Sequence, residues 1–251
     1  MIEVYLQAKD SFSLILSSNE TRFSINYSPP IELKKGRKYE LALINLETYY
    51  TFPNIDSSNN IFRYSSDKGS TWKEFQIPEG SYELNQINTE IARLMKSMGD
   101  YDTVNNKSLI NISANLATLR CIIQINDSNI IIDFSHEASL NKLLGYERKQ
   151  ISEPYNEGKN TVNILSINSI LVKCSIIEGS YLDSSKEPII YSFFPNVLPG
   201  EKIIERPKNL IYLPLIVPTI YNIGIELIDN NGKLLNLRGE TVTIRLHLRE
   251  A

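Results

Sequence analysis

The chain has 251 residues, 42% hydrophobic and 22% charged, with 26 Lys+Arg against 29 Asp+Glu for a formal net charge of −3. Such a composition folds around one large core or two modest ones and excludes intrinsic disorder, and its charge balance excludes the strongly basic face of a dedicated nucleic-acid binder. Ile and Asn are over-used, at 35 and 25 residues; β-branched Ile favours pleated strands and Asn favours the turns between them, so a mainly β fold is expected.

The first ten residues carry neither a basic segment nor an apolar run of signal-peptide length, so secretion is not expected. No stretch reaches the roughly 18 to 20 apolar residues of a spanning helix, so membrane insertion is not expected either. Alternating apolar positions predict strands over residues 2–6 and 12–16. Lys34, Lys35, Arg37 and Lys38 surround Gly36 in what reads as a solvated reversal. Residues 39–46 follow, with Leu41 and Leu43 on one face and Ala42, Ile44 and Leu46 on the other, which predicts a central strand covered on both sides. A strand over 61–64 precedes a polar, turn-forming stretch at 65–70.

The middle of the chain has a different rhythm. After a short strand at Phe75, Ser81 is placed to cap one long helix over about 81–98, whose Leu84, Ile87, Ile91, Leu94, Met95 and Met98 follow helical spacing up to a stop at Gly99. Strands are predicted over 109–113, 119–125 and 129–134, the last two joined by a hairpin-like Asn126-Asp127-Ser128. A short helix over 139–144 ends at Gly145, and 152–158 is again polar and turn-forming. The pattern β-α-β-β-β-α predicts an inserted α+β module over 67–154, with residues 1–66 and 155–251 forming a discontinuous β-sandwich. A sequential division with its linker near 99–107 is the alternative.

Strands return at 169–177, 188–194, 202–204 and 210–213. At the end, Tyr221, Ile223, Ile225 and Leu227 alternate, Asp229-Asn230-Asn231-Gly232 offers a tight reversal, and 241–249 alternates without fault, so an antiparallel pairing of these last two strands is expected.

Chemistry-bearing residues are few. The two histidines, His136 and His247, read as a capping residue near the short helix and a residue on the polar face of the last strand. No Gly-x-Ser-x-Gly elbow or phosphate-binding glycine loop occurs. The carboxylate pairs Asp100 with Asp102, Asp127 with Asp133 and Glu201 with Glu205 are what a chain of 29 acids offers without design. Cys121 and Cys174 read as buried free thiols of a reducing compartment. No catalytic, cofactor-binding or metal-ligating residue is therefore assigned, no cofactor is expected, and an enzyme is not the expected class. Tyr191-Ser192-Phe193-Phe194-Pro195 is the densest apolar group near a loop and a candidate subunit contact. The 14 Tyr and single Trp72 leave a lectin-like or receptor-binding module as the alternative function.

Several phrases carry a family resemblance: residues 39–46 (YELALINL), 77–82 (IPEGSY) leading into a helix, 140–146 (LNKLLGY), 169–174 (SILVKC) and 237–240 (LRGE) before the last strand. In this order the chain resembles the minor capsid, penton-like proteins of Polinton/Maverick elements and the related adintoviruses. The resemblance implies a jelly-roll sandwich that self-associates, as a homopentamer, at the vertices of an icosahedral shell whose major capsid protein is a separate double jelly roll. It implies a virion component, made in the host cytoplasm or nucleus, with no specific nucleic-acid partner. It carries over no catalytic residue; Gly80 and Gly145 are expected as turn or helix-stop glycines and Leu143 and Leu144 as core.

Overall fold

A computed structural model describes residues 11–164, 167, 169–182 and 184–251. The chain divides into two compact units, one comprising Met1–Phe52 with Ile167–Ala251 and the other Pro53–Ser166. Three strands open it: β1 (Ser11–Ser18), β2 (Arg22–Glu32) and β3 (Tyr39–Tyr49). The second unit then runs β4 (Ile61–Ser65), β5 (Lys73–Gln76), α1 (Leu84–Ser97), β6 (Ile110–Asn115), β7 (Arg120–Ile125), β8 (Ile131–Asp133), α2 (Asn141–Leu144), β9 (Gln150–Ile151) and β10 (Tyr155–Thr161). The first unit resumes with β11 (Ile170–Cys174), β12 (Ser180–Leu182), β13 (Ser185–Glu187), β14 (Ile189–Phe193), β15 (Lys202–Glu205), β16 (Leu213–Pro214), β17 (Thr219–Asp229) and β18 (Val242–Glu250). The expected strand over 2–6 lies outside the described residues.

The first unit is a β-sandwich. One sheet has the order β1-β18-β3-β15, with β16 also on β3, and the other β14-β11-β17-β2. Its pairings are nested: β1 with β18, β2 with β17, β3 with β15, and β11 with β14, all antiparallel. Such nesting is a long antiparallel ribbon wound into two facing sheets, the jelly roll. The inward faces supply the core, in which Leu14, Leu41, Leu246 and Ile244 of one sheet join Val172, Cys174, Ile223 and Ile225 of the other. Each such side chain, fully buried, contributes about 1.5 to 3 kcal/mol.

The two-sided apolar pattern of β3 has a local cause. Asn45 is opposite Arg245 but Leu43 is opposite Leu246, so Ile44 has no opposite residue. This bulge reverses the phase, and Leu41, Leu43 and Leu46 all point inward while Ile44 stays half-buried. β3 is central as expected, with one main core face rather than two.

β2 is not among the strands expected from sequence, and it contains Pro29 and Pro30. The strand survives them as a sheet edge, where a missing N–H is tolerated. The expected pairing of the last two strands is corrected: β17 and β18 lie in opposite sheets. Asp229–Gly232 does reverse the chain, with the Lys233 N–H donating to the Asp229 side chain, but the return pairs only briefly, Leu234 opposite Ile228, before crossing over. The strand expected over 210–213 shrinks to β16.

The second unit holds a sheet of order β10-β7-β6 and another of order β5-β4-β8-β9. α1 buries Leu84, Ile87, Ile91 and Met95 along one face, against a core that includes Phe62, Ile77, Ile123 and Phe134. Its N-cap is Glu83, in a reciprocal capping box with Gln86, rather than Ser81. β7 and β8 form no hairpin: β7 pairs with β6 and β10, and β8 with β4 and β9. The unit is wider than the expected 67–154 because β4 pairs with β5 and β8 at one end and β10 with β7 at the other. The alternative linker at 99–107 falls within it.

The phrases that carried the resemblance are structural. Gly145 closes α2 at φ +77°, and Tyr146 behind it is buried, its hydroxyl donating to the carbonyls of Cys121 (3.2 Å) and Asn156 (2.8 Å). Gly80 is a close-approach glycine rather than a turn: it bridges to Ile55, and an added Cβ would meet the Tyr82 ring at 2.7 Å.

Candidate functional site

The residues with chemical potential are spent on local structure. His247 lies on the outer face of β18, with Ser11 Oγ 2.7 Å from Nε2 and the Tyr212 hydroxyl 2.7 Å from Nδ1. The Arg249 guanidinium stacks 3.5 Å from the Tyr212 ring centre, so this His pins β1 and the segment before β16 to the sheet. His136 accepts the Ala138 N–H in a turn.

The carboxylate pairs do not converge. Asp100 accepts from the Tyr64 hydroxyl and Lys73, both at 2.6 Å, whereas Asp102 accepts backbone N–H groups of Val104 and Asn105. Asp127 accepts the Asn129 N–H, while Asp133 holds Ser135 with Arg63 at 3.7 Å. Glu201 accepts the Leu198 N–H and Glu205 the Tyr191 hydroxyl. Among the described residues no group of three or more His, Cys, Asp or Glu is placed to hold a metal ion. Burial pushes the Cys121 thiol up to about 12 and the Cys174 thiol to about 11, the reverse of nucleophile activation.

The basic loop is a reversal at Gly36, φ +81°, tied to the last strand by an Arg37–Glu250 ion pair of 2.7 Å. Trp72 has the Arg63 guanidinium 5.0 Å from its ring centre, and among the described residues it makes no ring–ring pair.

What remains is surface, and part of its exposed apolar area lies on the flanks of the sandwich. On one flank β14 and β15 are edge strands, joined where the Tyr191 hydroxyl donates to Glu205 at 2.8 Å. Burial and that carboxylate push the Tyr191 phenol up to about 12. Phe194, Leu198, Ile204, Leu210 and Ile211, in and after these strands, are all exposed, and Ile204 lines an open cleft of about 640 Å³ together with Tyr191, Glu205, Arg206, Lys208 and Asn209. Of the expected contact group, Phe193 is core and Phe194 is exposed. On the other flank β1 and β2 are the edges, Ile15 is exposed, and Phe12, Phe23, Ile25 and Tyr27 are only half-buried against the core.

Ile15 and Ile204 were not singled out from sequence, although a signal exists. Leu14-Ile15-Leu16 and Ile203-Ile204 are consecutive apolar residues in strands, and the pleat sends alternate ones outward. Only the sheet order shows that these outward residues sit on edges.

No protein-family model matches the chain and no curated protein is similar to it. Among solved structures it is similar to the crystal structure of the mavirus penton protein, with a TM-score of 0.50 and 12% identity over 96% of this chain and 100% of that one. At this identity the likeness is one of fold, a mainly β chain built on a jelly-roll sandwich.

Proposed function

We propose that the chain is a structural subunit of a viral shell: a penton-like minor capsid protein, of the Polinton/Maverick and adintovirus kind, that self-associates into homopentamers at icosahedral vertices. The observation that carries this reading is the whole-chain likeness to a penton protein, which takes in the second unit as well as the sandwich. Apolar flanks on the sandwich support it, because a shell subunit buries its side surfaces against neighbours. On this reading the sandwich forms the shell, the second unit is an independently folded module, the protein resides in the virion, and a double-jelly-roll major capsid protein is its partner. Catalysis has no part in it.

The test is mass in solution, by light scattering and native mass spectrometry, across protein concentration and salt, alone and with a double-jelly-roll major capsid protein. A discrete pentamer, alone or with that partner, supports the reading. A chain that stays monomeric in both settings refutes it.

A further inference from the structure

The charges of the chain balance in number, which from sequence excludes a basic face, but the fold separates them. On the sheet of order β1-β18-β3-β15 the outward side chains of β18 are Thr243, Arg245, His247 and Arg249, since Val242, Ile244, Leu246 and Leu248 belong to the core. Lys38 precedes the inward Tyr39 and extends the same ladder, its carbonyl accepting the Ala251 N–H. On β15 the inward residue is Ile203, which leaves Lys202 and Ile204 outward. Hydrogen bonds from Lys202 and Asn45, together with the Arg206 charge, hold the Glu47 carboxyl below its ordinary value, so Arg206 stands over the same face. Lys208 lines the cleft beside Ile204 and Arg206.

The carboxylates of this face and its end are matched locally. Glu40 is held by Arg249 at 3.1 Å, Glu47 by Lys202 at 2.7 Å and Glu250 by Arg37 at 2.7 Å. Glu205 accepts the Tyr191 hydroxyl and shares its cleft with Arg206 and Lys208, while Glu32, at the end of β2, belongs to the other sheet. That leaves Lys35, Lys38, Arg206, Lys208 and Arg245, all exposed, without an ion pair among the described residues. Beside them the β1 edge turns Ser11, Ser13 and Ser17 outward, and Ser17 bonds Thr243 at 3.0 Å. Hydroxyl, ammonium and guanidinium groups are hydrogen-bond donors, and together they suit an extended ligand whose exposed atoms are anionic acceptors, as phosphodiester oxygens are. The exposed Ile15 and Ile204 stand at opposite margins of the sheet and form no continuous apolar ridge to enter a lipid surface.

We propose that this face binds the phosphate backbone of a nucleic acid without regard to sequence. Each unpaired cation that meets a phosphate releases a condensed counterion, so affinity comes from the number of such contacts and falls with salt. The proposed shell function gives the face its place, and on that reading it is the side of the sandwich turned to the packaged nucleic acid.

The probe is a fluorescent mixed-sequence DNA duplex of about 30 base pairs, followed by anisotropy against the full chain over a range of salt. A Kd on the order of 10 µM is expected at low salt, with a log–log salt slope of about −4 for about five contacting cations. Arg245→Glu, and separately Lys35→Glu combined with Lys38→Glu, is expected to weaken binding about tenfold and to make the slope shallower by about one for each cation lost. Lys142→Glu makes the same change of net charge as Arg245→Glu at an exposed site of the second unit and is expected to leave both unchanged. Unchanged circular dichroism of each variant confirms that loss of binding is not loss of fold. The inference is overturned if the wild type leaves the duplex free, or if Lys142→Glu weakens binding as much as Arg245→Glu does. It is overturned too if Arg245→Glu still binds the duplex but releases phosphatidylserine vesicles, which would make the face a membrane site. Assembly is scored on the same samples. A chain that forms pentamers without binding the duplex keeps the subunit reading and loses this inference. A chain that binds the duplex but never assembles, even with its shell partner, loses the subunit reading while the phosphate-binding face stands.

Discussion

At Gly145 the backbone stands at φ +77°, and a Cβ there would run into the Asn160 carbonyl. Gly145→Ala must therefore both strain the αL position and push β10 away, and is expected to destabilise the second unit by about 2 kcal/mol or more, read as a fall in Tm. Asp67 makes a different prediction. Hydrogen bonds from the Thr71 side chain and backbone, with one from Ser65, hold its carboxyl down at about 2. A depressed carboxyl stabilises the fold above its unfolded value and loses that contribution as pH falls through the folded one. Asp67→Asn is therefore expected to flatten the loss of stability between about pH 4 and pH 2, as followed by urea titrations at each pH. For the thiols, burial predicts that Cys121 and Cys174 do not react with an aromatic disulfide reagent at pH 8 until the chain is unfolded, when both react. The helix-stop glycine was legible in sequence because Leu-Leu-Gly is a local signal. Gly80 was misread because the backbone that it pairs with, Ile55, is distant in sequence.

At the scale of elements, α1 was the most legible, since its buried stripe repeats with the helix itself. Ile87 is fully buried on that stripe, and Ile87→Ala is expected to cost about 2 to 5 kcal/mol, the sum of lost transfer energy and residual cavity. Urea unfolding monitored at Trp72, which belongs to the same unit, reads that loss directly. Strands were legible where they alternate, as in β18, but their partners were not. Asp229–Gly232 has every residue a hairpin needs, and still β17 and β18 sit in opposite sheets. Asn126-Asp127-Ser128 likewise joins strands of two sheets. A turn motif specifies a reversal of direction, and pairing is decided by which apolar faces find each other afterwards. β2 was hidden for the complementary reason, because a proline is forbidden in a central strand and permitted at an edge, and edge position is not a local property.

At the scale of the whole molecule, each unit has its own core and its own sheets. An excised fragment spanning residues 53–166 is therefore expected to fold alone, with dispersed amide resonances and a cooperative melt. A disordered fragment would show that the second unit depends on the sandwich. The boundary was legible only as a change of rhythm, displaced because β4 and β10 have strand patterns that suit either unit. The nested wiring of the sandwich has a consequence for how the chain is made. Ser11 is opposite Arg249, so the first strand described has no partner until the last one is synthesised. All the strand pairs of the second unit, by contrast, close within Pro53–Ser166. During synthesis that unit emerges complete while the sandwich still waits, with β1, β2 and β3 exposed as unpaired apolar edges. The strands of the second unit can thus pair before β18 is made, whereas the sandwich can close only once β18 has been synthesised, and in that interval its unpaired strands are open to aggregation or to a chaperone.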